Sequence, residues 1–121
     1  MILLDANYIL RYLLDDNEEM FIVAKKVIEH KHFFILNEVI VEVVYVLEGV
    51  YKVPRNEIVD VLTKFILLDN VSMHESKSIL VTALKIYHDK NIDFEDSYLC
   101  ALKEKYEVKT FDKKLLKCLS S

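Results

Sequence analysis

The stretch Ile2-Leu3-Leu4-Asp5-Ala6-Asn7-Tyr8-Ile9-Leu10-Arg11-Tyr12-Leu13-Leu14 decides the fold. Three consecutive apolar residues ending at an aspartate read as a short buried strand. From Asn7 the spacing changes, and Ile9, Leu10, Leu13 and Leu14 fall on one side of a helix. A strand that passes directly into an amphipathic helix is how an α/β chain begins. Asp5 stands at the junction.

The alternation continues outward from there. Met20, Val23, Ala24, Val27 and Ile28 form the apolar stripe of a helix over Glu18 to Lys31. Phe33 to Leu36 is a second apolar run and a second strand. Asn37 is placed to cap a helix through about Val50, with Val39, Ile40, Val43, Val44 and Leu47 as its core side. Pro54 opens a helix that buries Ile58, Leu62, Phe65 and Ile66. Asn70 to Met73 reads as a third strand, and Glu75 to His88 as a helix. Asp93 caps a helix from Phe94 to Tyr106, Glu107 to Thr110 is a fourth strand, and Asp112 caps a last helix from Lys113 to Leu119. Strands alternating with helices predict an α/β fold with a parallel sheet between helices. No repeat or internal boundary appears, so residues 1–121 are expected to form a single domain.

The composition agrees. Of the residues, 53% are hydrophobic and 30% charged, which suits a globular chain and not a disordered one. One Gly and one Pro are too few for an all-β fold rich in tight turns, and one Gly excludes any Gly-rich phosphate loop. The net charge of -4 argues against simple binding to a nucleic-acid backbone. It does not argue against a site whose acids are offset by a bound metal. Cys100 and Cys118 show no C-x-x-C spacing and are expected to be reduced thiols of a cytoplasmic protein. The apolar start is interrupted by Asp5 and Arg11, unlike a signal peptide. No apolar stretch approaches membrane-spanning length.

Three aspartates fall where parallel α/β folds place ligands: Asp5 after the first strand, Asp96 in the first turn of a helix, and Asp112 after the last strand. Strand C-termini and the helix N-termini that follow share one edge of such a sheet. Glu42 joins them from a helix strip containing Glu38, Tyr45 and Gly49, separate from the apolar strip. Clustered carboxylates are hard ligands that favour Mg²⁺ or Mn²⁺ over zinc. Each acid also has a plainer reading. Asp5 and Asp112 serve as helix caps, Asp96 complements the positive end of its helix, and Glu42 is a solvated helix residue. The plainer readings do not explain why the caps share an edge with an acid from a separate helix.

Four segments together resemble the PIN-domain ribonucleases, especially the VapC-like toxins of toxin–antitoxin pairs. They are Leu3 to Leu13 with Asp5, Val41 to Leu47 with Glu42, Ile92 to Ala101 with Asp96, and Val108 to Leu115 with Thr110 and Asp112. They come in the family's order and cover nearly the whole chain. The resemblance implies a three-layer α/β/α fold around a parallel sheet of four short strands. Family members often add a fifth, and this chain stops at Ser121. It also implies one or two Mg²⁺ or Mn²⁺ ions held by Asp5, Glu42, Asp96 and Asp112, where metal-activated water hydrolyses RNA. Asn7 and Thr110 would orient carboxylates or water, or else make local turn hydrogen bonds. A homodimer and a small antitoxin partner are implied as well.

Among the basic residues, Arg11 and Lys113 lie beside motif acids and are the best placed to meet RNA phosphates. Tyr45 and Tyr98 have the chemistry to stack bases, although their helical spacing suits packing better. His30, His32, His74 and His88 are expected at the surface. Besides a toxin, two other roles fit: a housekeeping RNA-processing nuclease, and a PIN-fold interaction module with little catalysis.

Overall fold

The computed structural model describes residues 1–121. Its elements in chain order are β1 (Ile2–Leu3), α1 (Ala6–Leu14), α2 (Glu18–His30), β2 (Phe33–Ile35), α3 (Asn37–Gly49), α4 (Arg55–Ile66), β3 (Val71–Met73), α5 (Lys77–Lys90), α6 (Phe94–Ala101) and α7 (Lys113–Leu119), with a 3₁₀ turn at Leu102–Glu104. The strands pair in the order β1-β2-β3, all parallel, with Ile2 opposite Phe33 and Phe33 opposite Val71. Two helices separate each pair of strands, as parallel pairing requires.

The apolar stripes read from the sequence are the ones that pack. One core joins Ile9, Leu10, Ile28, Phe33, Ile40, Val43, Leu47, Leu62, Ile66, Leu80, Leu84 and Tyr87 across β2 and helices α1 to α5. A second, smaller cluster joins Ile92, Cys100, Leu115 and Cys118 under α6 and α7. The four histidines are exposed, as expected.

Three expectations are corrected. The sheet has three strands, because Glu107 to Thr110 pairs with nothing. Charge dilutes that segment, and Lys109 Nζ satisfies Glu107 locally at 2.6 Å. β1 is an edge strand, with Ile2 and Leu3 exposed and only Leu4 buried. Second, Cys100 and Cys118 are joined in a disulfide, their Cα atoms 6.2 Å apart. Spacing along the chain did not suggest it; the packing of α6 on α7 brings the two side chains together. Third, Asn37 is the first residue of α3 and not its cap; Leu36 takes that position, and no side chain caps the helix.

Arg55 secures the approach to α6. Its Nη1 donates to the carbonyls of Tyr87 (2.8 Å) and Ile92 (2.6 Å), and its Nε meets Glu48 Oε2 at 3.3 Å. The guanidinium lies 4.1 Å from the Tyr87 ring centroid, and the Tyr87 hydroxyl donates to Glu48. One cation thus ties α3 and α4 to the end of α5 and to the turn that delivers Asp93. Asn91, at φ 53°, supplies the left-handed residue that ends α5.

Candidate active site

Because the strands are parallel, their C-termini share an edge. Asp5 follows β1, Asn37 follows β2, and Glu75 lies just beyond β3. The Asp5 carboxylate caps α1, with Oδ1 accepting from the Tyr8 N–H at 2.9 Å. Asp112 does the same for α7, accepting from the Leu115 N–H at 2.9 Å. Both plainer readings are therefore correct as far as one oxygen goes, and neither carboxylate has a cationic partner.

On α6 the two aspartates divide the work. Asp93 is the cap, its Oδ1 accepting from the Asp96 N–H at 2.8 Å. Asp96 itself accepts no hydrogen bond from protein and sits half-buried. Burial raises its carboxyl above the usual range, and the charges of Asp93, Asp112 and Glu95 raise it further. No cation appears among these influences. Asp112 is thus near enough to Asp96 to repel it, although 16 residues of chain separate them.

The third neighbour comes from α3. Tyr45 is 47% exposed, so it is not the packing residue its spacing suggested. Burial raises its hydroxyl, followed by the charges of Asp93, Glu95 and Asp96. Glu42 lies one helical turn before Tyr45 and so on the same strip. It is exposed and has no ion-pair or hydrogen-bond partner.

The remaining predicted residues divide. Asp5, Asn7 and Arg11 line one cleft of about 430 Å³ between α1 and α2, together with Tyr8, Met20 and Val23. Arg11 is already engaged there. Its Nη1 meets both oxygens of Asp16 at 2.8 and 2.9 Å, and its Nη2 donates to the Tyr51 hydroxyl at 3.0 Å. Thr110 Oγ1 accepts from the Asp112 N–H at 3.0 Å, which is the local turn bond considered for it. Lys113 is exposed and pairs with no acid. No three His, Cys, Asp or Glu side chains stand close enough to hold an ion as a set. The four acids fit a divalent cation by donor chemistry, being hard and without cationic partners. They are not gathered into a finished coordination shell.

Sequence reasoning overlooked Glu75 and Asn37. The Glu75 side chain is only 9% exposed, and Lys105 Nζ donates to its Oε1 at 2.9 Å. That bond, then the Ser76 N–H, lowers its carboxyl below the usual range. Asn37 Oδ1 is buried without a hydrogen-bond partner at the same edge. The available signal was position: both follow strand C-termini, as Asp5 does.

A family model described as the PIN domain matches residues 2–118. No curated protein and no solved structure matches the chain.

Proposed function

The chain belongs to the PIN-domain family, and from that premise we propose that it is a metal-dependent endoribonuclease, acting as the toxin of a toxin–antitoxin pair. Proteins of this family are typically metal-dependent nucleases. The observation that carries the reading is that Asp96 and Asp112, from distant parts of the chain and both without a cationic partner, come near enough to repel each other. A structural role gains nothing from that crowding. A cation site does.

In this reading Asp5, Glu42, Asp96 and Asp112 hold one or two Mg²⁺ or Mn²⁺ ions. When bound there, such an ion would supply Lewis-acid polarisation of a phosphate and a more acidic water. The chain's own residues prepare the site. The caps on α1 and α7 fix one oxygen of Asp5 and of Asp112 and leave the other for a ligand. Asp93 satisfies the start of α6 and so frees Asp96. Thr110 holds the turn that carries Asp112 through the Asp112 N–H, Asn7 borders the cleft beside Asp5, and Lys113 meets RNA phosphate. Arg11 reaches RNA only by leaving Asp16, so its first task is to shape the cleft next to Asp5.

We assign the protein to the cytoplasm, where RNA is. No helix is long and apolar enough to cross a membrane. Exposed Leu3, Met20, Ile22 and Val23 support a protein partner on the β1–α2 side, either a small antitoxin or a second copy in a homodimer. The same apolar surface, with the unfinished ligand set, favours an interaction module as the second reading. The test is cleavage of a panel of structured and single-stranded RNAs in Mg²⁺ or Mn²⁺, stopped by EDTA and by Asp96→Asn. Absence of cleavage with either metal would transfer the assignment to the interaction module.

A further inference from the structure

The Cys100–Cys118 bridge lies in the smaller core, and its two sulfurs differ in access. Cys100 is 1% exposed on α6. Cys118 lines a cleft of about 470 Å³, within the range that admits small molecules. Lys90, Lys114 and Lys117 line the same cleft, with Asp89 as its one acidic side chain. Asp89, hydrogen-bonded to His88 at 2.9 Å, offsets one of the three lysine charges. The disulfide is buried, Cys118 being 5% exposed, and its Cys118 end borders a small hollow lined by three lysines.

The bridge is also the strongest tie on α7. Lys105 to Asp112 forms no helix or strand, and its tie to the rest of the fold is the Lys105–Glu75 contact at its start. Besides the bridge, α7 is held by buried Leu115 and by Lys103 Nζ, which donates to the carbonyls of Cys118 (3.2 Å) and Ser121 (3.1 Å). The bridge closes a separation of 18 residues that contains this whole irregular segment.

We propose that Cys100–Cys118 is a thiol-exchange site for a small anionic thiol, and that opening it releases α7 from α6. The thiolate of the incoming molecule attacks Cys118 Sγ, the sulfur of the cysteine that borders the cleft. The bond between the cysteine sulfurs breaks, and Cys100 leaves as a thiolate that takes a proton from water. A second thiolate attacks the mixed disulfide. It frees Cys118 as a thiol and departs as the small-molecule disulfide, so two thiols supply the two electrons. The lysines gather the anionic reactant, and that attraction weakens with salt. Once α7 is free, Asp112 no longer has a fixed position opposite Asp96. This last consequence rests on the nuclease reading; the exchange chemistry does not.

Oxidised protein is treated with glutathione as the anionic probe and with 2-mercaptoethanol as the uncharged one, and adducts are located by peptide mass analysis. The first adduct is expected on Cys118. The rate ratio of glutathione to 2-mercaptoethanol should fall several-fold in 0.5 M salt and in the Lys90→Gln/Lys114→Gln/Lys117→Gln variant. After reduction, amide exchange over residues 113–119 should quicken at least tenfold more than that of α5, whose core amides follow only the global loss of stability. Mn²⁺ should bind the reduced protein about tenfold more weakly. An adduct first on Cys100, a lysine variant with an unaltered ratio, or unchanged exchange in α7 would each overturn the proposal. So would two free thiols in protein kept under oxidising conditions. The Cys100→Ala/Cys118→Ala variant, expected to match the reduced protein in exchange, guards against damage done by the reductant. A normal adduct pattern with no effect on Mn²⁺ would count against the nuclease reading and leave the exchange site standing.

Discussion

The two cores of this molecule are built by different means. The larger one, across β2 and α1 to α5, is held by a continuous set of fully buried aliphatic and aromatic side chains and by the Arg55 network. The smaller one, under α6 and α7, has four buried residues, two of them the bonded cysteines. Burial stabilises the first by about 25 cal/mol per Å² of apolar surface. The second has too little such surface and relies on a covalent bond and two aspartate caps. The candidate site spans both. Asp5 and Glu42 stand on elements of the larger core, Asp112 stands on the smaller one, and Asp96 lies where they meet. A site divided in this way has one rigid side and one side whose position can change.

The largest expected effect tests whether both sides act together. Asp5→Asn on the rigid side and Asp96→Asn at the junction should each slow RNA cleavage at least about 100-fold, since even indirect ligand partners are worth 10–100-fold. Asp93→Asn should cost far less, because asparagine caps nearly as well as aspartate. Initial rates on one RNA substrate in Mn²⁺ decide it. Equal damage from Asp93→Asn would mean that the wrong acid of α6 has been assigned to the metal.

Stability should separate the cores more directly. Leu80, wholly buried in the larger core, should cost about 3–5 kcal/mol when changed to alanine. Leu115, in the smaller core, should cost about 2 kcal/mol, at the low end for such a deletion. Reducing the bridge should cost about 3 kcal/mol through the entropy of the reopened loop. Urea unfolding of each form provides the measurement. If Leu115→Ala matched Leu80→Ala, the smaller core would not be the weaker one.

The same division governed how much could be read from sequence. In the larger core, helical periodicity and burial coincide, and α1, α2, α3 and β3 fall within two residues of their expected bounds. Asp93 and Asp112 were recognisable as caps because capping is a local interaction. The losses lie where the deciding interaction is distant. Pairing of Cys100 with Cys118 depends on how α6 meets α7. Glu107 to Thr110 has a strand-like alternation, but a strand needs a partner, and β1 gains none there. For the site, the acids were legible as types and positions; their separation was not, because it follows from packing between helices.

Asp112 allows its two roles to be told apart, with a smaller effect on stability. Asp112→Ala should lose the cap and cost about 0.5–2 kcal/mol, whereas Asp112→Asn should be close to neutral. RNA cleavage should fall in both, since neither side chain supplies a carboxylate. Thermal unfolding beside a cleavage assay checks it. Full activity in Asp112→Asn would leave Asp112 as a cap alone.

The smallest effect is expected at Asp96 in metal-free protein, and its sign is the informative part. Burial first, then Asp93, Asp112 and Glu95, raises the Asp96 carboxyl in the folded state. A raised carboxyl favours folding while it is protonated. That contribution is complete below the unfolded value of about 3.9 and is lost as pH rises through the folded value. At neutral pH the ionised side chain therefore weighs against the fold. Asp96→Asn, which keeps the size and removes the charge, should leave the metal-free protein as stable or slightly more stable at pH 7. Its advantage should shrink as pH falls toward 4. Mn²⁺ should reverse the order. It stabilises whichever form binds it, in proportion to the logarithm of its concentration over the dissociation constant, so wild type gains and the variant does not. Urea midpoints of both proteins at pH 4 and pH 7, with and without Mn²⁺, give the eight values required. A variant less stable than wild type at pH 7 without metal would show that Asp96 supports the start of α6 through the helix dipole. In that case its crowding against Asp112 would not be evidence for a cation site.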